Sequence, residues 1–157
     1  MKKSIFITAV ICLLLSCNSK KKEEITAPEI KKTKTDKRLH KLTLYEGVLP
    51  CADCSGIQTT LKIDADYGVM QNNKFELISV YLDKEPNNPF TETGSFNTER
   101  GLGDDPDGTI YVLNYDQPQE KQIYYGYFSA NPEKMYLLDK DRKMIKSKLN
   151  YFLMLKK

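Results

Sequence analysis

Two cysteines three positions apart, Cys51 and Cys54, are the residues of this sequence best placed to do chemistry. The C-x-x-C spacing lets two sulfurs converge on one soft metal ion or on each other, and thiolates favour Cu(I) and Zn(II) over hard ions. Pro50 fixes the backbone entering the pair and Gly56 frees it on leaving, which predicts a tight loop between two strands. Three readings compete. One is a structural or idle disulfide, since such bridges persist in oxidising compartments. The second is a metal site, chiefly for copper as Cu(I). Thiol–disulfide catalysis is the third, and it is disfavoured because thioredoxin-type enzymes carry the pair at a helix start within a βαβ pattern. A single C-x-x-C is also incomplete as a structural zinc site, which takes four ligands. Further ligands would have to come from His40, Asp53, a methionine or a partner protein.

The other candidates carry blander readings. His40 is the only histidine and reads as an exposed side chain without a role, so Ser/His/Asp catalysis is unsupported. Met70, Met135, Met144 and Met154 are scattered, and gap-filling in the core is their default reading. Asp104, Asp105 and Asp107 lack the register of an EF-hand loop and read as a hairpin turn. Tyr124, Tyr125, Tyr127 and Phe128 fall in one segment and should be barrel wall and core, with a tyrosine-lined cavity mouth as the alternative. No glycine-rich phosphate loop or H-E-x-x-H motif is present, and the expected role is non-enzymatic.

The N-terminus sets the compartment. Met1-Lys2-Lys3, an apolar run from Ile5 to Leu15, and Ser16-Cys17 read as a secretory signal over residues 1–16. The run is shorter than the about 20 apolar residues a membrane helix needs. Leu14-Leu15-Ser16-Cys17 resembles the lipobox of bacterial lipoproteins, which would make Cys17 the acylated first residue of the mature chain. Acyl chains bury methylenes at about 0.8 kcal/mol each, so the expected partner is a membrane, reached through Cys17. Cys12 is discarded with the signal, leaving Cys51 and Cys54 as the only free thiols.

Charge separates the remainder into two parts. Residues 17–40 form a lysine-rich, aromatic-poor stretch expected to be a flexible tether. From His40 onward there are 14 basic and 17 acidic residues, a net of −3, against +3 for the whole chain. A basic tether with a mildly acidic domain argues against nucleic acid as a partner.

Residues 41–157 must then position the cysteines, and their texture is all-β. Candidate strands are 42–48, 57–63, 75–82, 90–97, 110–115, 122–129, 134–138 and 149–155. Several alternate by twos, as Thr59, Leu61 and Ile63 do, which marks strands with one buried face. The breaks are turn chemistry: Gln71-Asn72-Asn73, Pro86-Asn87-Asn88-Pro89, Asp104-Asp105-Pro106-Asp107-Gly108, Asn131-Pro132 and Asp139-Lys140-Asp141-Arg142. About eight short strands with no helical periodicity predict a small antiparallel β-barrel or sandwich. A barrel of that size encloses its own side chains or one small ligand.

The stretch from Tyr45 to Leu61, with its Gly-x-Leu-Pro-Cys-Ala-Asp-Cys-x-Gly-Ile core, resembles the signature of the NlpE family of copper-resistance lipoproteins. Thr93-Gly94-Ser95-Phe96 is similar to the family's Gly-Thr-Trp turn. Met135-Tyr136-Leu137-Leu138-Asp139 and Leu149-Asn150-Tyr151-x-Leu153 extend the similarity across the domain. The resemblance implies a lipocalin-like β-barrel in the Gram-negative envelope, linked to copper tolerance and envelope-stress sensing, with the C-x-x-C pair at Cys51 and Cys54. Better-known members carry a second, OB-like domain with its own cysteines, so a signalling role that needs that domain is not implied here. Lys22-Glu23-Glu24 resembles surface-export tags of some Bacteroidetes lipoproteins. Asn18 differs from the aspartate that retains enterobacterial lipoproteins in the inner membrane, so the outer membrane, on its periplasmic face, is expected. Two functions are carried forward. One is an envelope lipoprotein that binds or senses copper through Cys51 and Cys54, with an envelope protein as a further partner. The other is a lipocalin-like carrier of a small apolar ligand in which the cysteines form a structural disulfide.

Overall fold

The computed structural model describes residues 40–157, so the expected signal, the lipidation site Cys17 and the tether lie outside the described residues. Eight strands follow in chain order: β1 His40–Leu49, β2 Ile57–Asp66, β3 Lys74–Tyr81, β4 Phe90–Leu102, β5 Asp105–Leu113, β6 Ile123–Tyr127, β7 Lys134–Leu137 and β8 Phe152–Leu155. Each pairs antiparallel with the next, and β8 returns to β1 through Tyr45↔Leu155 and Glu46↔Met154, which closes the barrel. The all-β, eight-stranded antiparallel barrel read from the sequence is the fold observed.

Alternation explains the interior. Tyr45 and Leu49 of β1, Leu61 and Ile63 of β2, Phe75 and Leu77 of β3, Phe96 of β4, Leu113 of β5, Tyr125 of β6, Met135 of β7 and Leu153 of β8 form one buried cluster. Full burial of a side chain of this kind stabilises by about 1.5–3 kcal/mol. The middle of the lumen is therefore packed with the barrel's own residues. Closure needs a small residue at the seam: a Cβ on Gly47 would stand 2.9 Å from the Phe152 carbonyl oxygen and 3.2 Å from the Leu153 Cα. Any other residue there would push β1 away from β8.

A second cluster lies on the outside of the wall. Leu102, Ile110, Val112, Tyr124 and Leu138 are buried, with Phe128, Tyr136 and Met144 packed on them. The long β7–β8 connection contributes Met144 to this cover and is tied back by the Leu138↔Met144 bridge. Tyr124 thus faces away from the lumen that holds Tyr125.

The acidic run read as a hairpin turn is one: Gly103 (φ +57°) and Asp104 connect β4 to β5, which already starts at Asp105. Asp105 accepts hydrogen bonds from the Ser129 N–H (2.6 Å), the Ser129 hydroxyl (3.1 Å) and the Asp107 N–H (3.0 Å). Asp107 pairs with Arg100, so these carboxylates fasten a hairpin. The last strand is shorter than 149–155, because Asn150 turns its amide onto the Val48 carbonyl (3.0 Å) and leaves Leu149 exposed. His40 opens β1 instead of lying idle. Its ring nitrogens lie 3.4 Å from Asp64 Oδ1 and 3.2 Å from Asp66 Oδ2. Asp66 also accepts from the Gly68 and Val69 N–H groups and the Asn72 amide. These donors, the Asn72 amide foremost, hold its carboxyl below the usual carboxylate range.

Candidate functional site

The C-x-x-C segment occupies the β1–β2 loop, residues 50–56, as expected. The ladder below it runs without a break to Leu49↔Ile57, so the loop springs from a rigid pair. A Cβ on Gly56 would run into Val48 Cγ1, so a larger residue there would force the Val48 side chain aside. The neighbouring β3–β4 loop pins the segment. The Leu82 N–H donates to the Gly56 carbonyl (3.0 Å), the Ser55 N–H donates to Asp83 Oδ2 (3.3 Å), and Lys84 pairs with Asp53. The Lys84 ammonium, hydrogen-bonded to Asp53, holds that carboxyl below its ordinary range.

Cys51 and Cys54 are joined by a disulfide, with their Cα atoms 5.3 Å apart. Cys54 Sγ lies 3.2 Å from the Gly56 carbonyl oxygen and Cys51 Sγ 3.5 Å from Asp53 Oδ1. A bridged sulfur has no proton to donate, so these are contacts that become hydrogen bonds only for the reduced thiols. Both cysteines are half-buried and Asp53 is exposed. One donor atom from each of the three residues falls within 4.8 Å of the others, the only such group of histidine, cysteine or carboxylate ligands among the described residues. Reduced, the loop presents two soft sulfurs and one hard oxygen. Bridged, it presents no thiolate, and a soft metal finds no purchase on the sulfurs.

The structure narrows the ligand set that the sequence leaves open. β1 advances about 3.3 Å per residue from His40 to Leu49, so the histidine stands at the far end of the barrel from the cysteines. Met135 is in the core and Met144 in the outer cluster. Met70 sits on the β2–β3 connection at the end of His40, and the exposed Met154 of β8 stands opposite Glu46, partway along β1 and below the cysteine loop. Asp53 alone joins the pair. Sequence reasoning missed Lys84 and Asp83; the Asp83-Lys84-Glu85 charge run before Pro86 was the available signal, though nothing in it names its target loop.

At the opposite end, a cavity of about 380 Å³ opens among Tyr45, Tyr67, Tyr111 and Tyr127. The 124–128 segment, which the sequence reads as wall and core with a cavity mouth as the alternative, contributes only Tyr127 to this lining. Tyr45 donates its hydroxyl to the Pro132 carbonyl (3.0 Å), and burial pushes its phenol up to about 12. Burial raises Tyr111 further still.

Comparison with known proteins places the chain. The family model of the NlpE N-terminal domain matches residues 45–148. Lipoprotein NlpE of Escherichia coli K12 is 26% identical over 161 residues, covering 98% of this chain and 57% of the relative. The chain thus spans little more than half the length of that protein. Among solved structures, a crystal structure from Shewanella oneidensis is 30% identical, covers 71% of this chain and 84% of its own, and has a TM-score of 0.49. The Cpx pathway activator NlpE from Escherichia coli is 25% identical, covering 69% and 48%, with a TM-score of 0.46. With two thirds of the chain matched by the family model, and the C-x-x-C loop inside the match, this protein belongs to the NlpE family.

Proposed function

We propose that this chain is an envelope lipoprotein, anchored by acylated Cys17 in the outer membrane on its periplasmic side, that binds or senses Cu(I) through Cys51 and Cys54. The observation that carries the reading is the convergence of two sulfurs and the Asp53 carboxylate on a surface loop. Loading requires reduction first: two electrons and two protons from an envelope dithiol convert the bridge to two thiols, and Cu(I) then displaces their protons. The bridge makes the loop a gate, closed to copper when oxidised and open when reduced. Lys84 keeps Asp53 ionised beside the pair, ready to serve as a third ligand or to orient one. The recess next to this loop, lined by Asp53, Tyr81, Lys84, Glu85, Pro89 and Phe90, offers a seat for an envelope protein that would read the state of the bridge. Envelope-stress sensing, which the family resemblance implies, is the output proposed.

Anaerobic titration of the reduced chain with Cu(I) tests this. One equivalent bound by the native protein and none by Cys51→Ser/Cys54→Ser supports it; equal binding by both ends it. Cys17→Ser should release the chain from the outer-membrane fraction.

The bridged sulfurs favour a second reading, in which the cysteines are structural and the barrel carries a small ligand. The packed middle of the lumen excludes a ligand that threads the barrel, and leaves the tyrosine-lined end as the place for one.

A further inference from the structure

The geometry points to a binding site for a small anionic amphiphile, a short alkyl or single-ring carboxylate, in the tyrosine-lined mouth at the end opposite the cysteines. This inference rests on the carrier reading and is independent of the thiols. The cavity, about 380 Å³, has the size of small-molecule sites, which run from about 300 to 1,000 Å³. Its floor is closed by the packed core, where Phe96 meets the Tyr111 ring at 5.4 Å between centroids. Its space comes from a break in the interior pattern: Ala65 follows Leu61 and Ile63 along the inner face of β2, where a third large residue would fill the mouth.

The lining fits an amphiphile with negative charge. Ile63, Ala65, Leu155 and the tyrosine rings supply the apolar wall. Lys41 and Lys156 stand in the lining, which includes no aspartate or glutamate. Lys156 pairs with Glu46 at 2.8 Å, which offsets its charge, so Lys41 is the ammonium of the lining that an anion would meet first. Tyr111 and Tyr127 stack at a tilt with centroids 6.1 Å apart, and burial raises the Tyr111 phenol, so its hydroxyl meets an anion as a neutral donor. The exposed ring of Tyr67, on the β2–β3 connection, adds an aromatic edge to the opening.

Octanoate and octylammonium share a chain and differ in charge, which makes them the probes. They are titrated against residues 17–157 carrying Cys17→Ala, which lack both the apolar signal and the acyl chains, so that no detergent competes, and followed by amide chemical shifts. Octanoate should shift Ala65, Tyr111 and Leu155 saturably, and octylammonium should bind about tenfold more weakly, the worth of one charge-assisted contact. Lys41→Gln/Lys156→Gln should reduce octanoate to the level of octylammonium, and Ala65→Leu should abolish binding of both. Cys51→Ser/Cys54→Ser should bind octanoate as the native chain does. Non-saturating or scattered shifts, equal affinity for the two probes, or undiminished binding by the two lysine substitutions would overturn the inference. Any of these would leave the copper reading standing, since that rests on the other end.

Discussion

The two ends of this barrel are held together by different physics. At the cysteine end, the β1–β2 and β3–β4 loops meet through a short covalent bridge, two backbone-donated hydrogen bonds and the Lys84–Asp53 ion pair, nearly all of it at the surface. At the tyrosine end, large rings continue the core upward, Phe96 on Tyr111 and Tyr111 on Tyr127, and Tyr45 is tied to the β6–β7 connection. Polar contacts in water contribute little and can be exchanged; burial contributes much and cannot. The first end therefore suits a chemical change that must not unfold the scaffold. The second suits a cavity that must keep its shape.

Substitutions can break this contrast. The largest effect is expected from Phe96→Ala, which removes a ring only 1% exposed at the base of the tyrosine stack. A loss of about 3–5 kcal/mol is expected in urea unfolding. A loss below that of the cysteine double substitution would show the tyrosine end to be loosely built. Cys51→Ser/Cys54→Ser opens a very short loop, and chain entropy gives an expected loss of about 2 kcal/mol. The same urea series measures it, and a larger loss would make the bridge a structural necessity and weaken any gating role.

Smaller effects sharpen the same line. Tyr45→Phe deletes one hydrogen bond to Pro132, an expected loss of about 1 kcal/mol near neutral pH. It also carries a pH signature. The folded phenol titrates at about 12, above its ordinary 10, so its contribution is complete below pH 10 and disappears as pH rises through 12. The variant should lose less stability than the native chain across that interval, and parallel curves would contradict the assignment. Lys84→Ala should leave the urea midpoint unchanged, because its partner is exposed, while slowing reduction of the bridge by a dithiol, whose thiolate then meets the Asp53 carboxylate without its cation. A shifted midpoint would mean that the loop contacts matter more than their exposure implies.

How legible all this is in the sequence depends on the range over which each feature is written. Thr59, Leu61 and Ile63 announce a strand with an inner face because pleating makes side chains alternate locally. In β5 the apolar residues stand on both faces, Tyr111 and Leu113 inward, Ile110 and Val112 outward. That pattern says the strand is covered twice, but not by what. The covering β7–β8 connection is largely polar, with Leu138 and Met144 as its apolar contributions, and gives no sign of the role. His40 is similar. It reads as idle until the register His40↔Asp66 brings two carboxylates to its ring. The acidic 104–108 run reads as the hairpin it forms, but turn-forming composition says nothing about the Ser129 donors that Asp105 meets.

The sequence by itself determined the eight short strands, the all-β class as a barrel or sandwich, the C-x-x-C pair on a tight loop, and the expectation of export and acylation at Cys17. Each follows from residues adjacent in the chain, where periodicity, turn chemistry and spacing act. Only the tertiary structure decided that Asp53 and Lys84 join the cysteines, that His40 and the methionines do not, and that four tyrosines from different parts of the chain share one mouth. Strand register and barrel closure make those meetings, and both are set by how whole faces pack against one another rather than by any local run of residues.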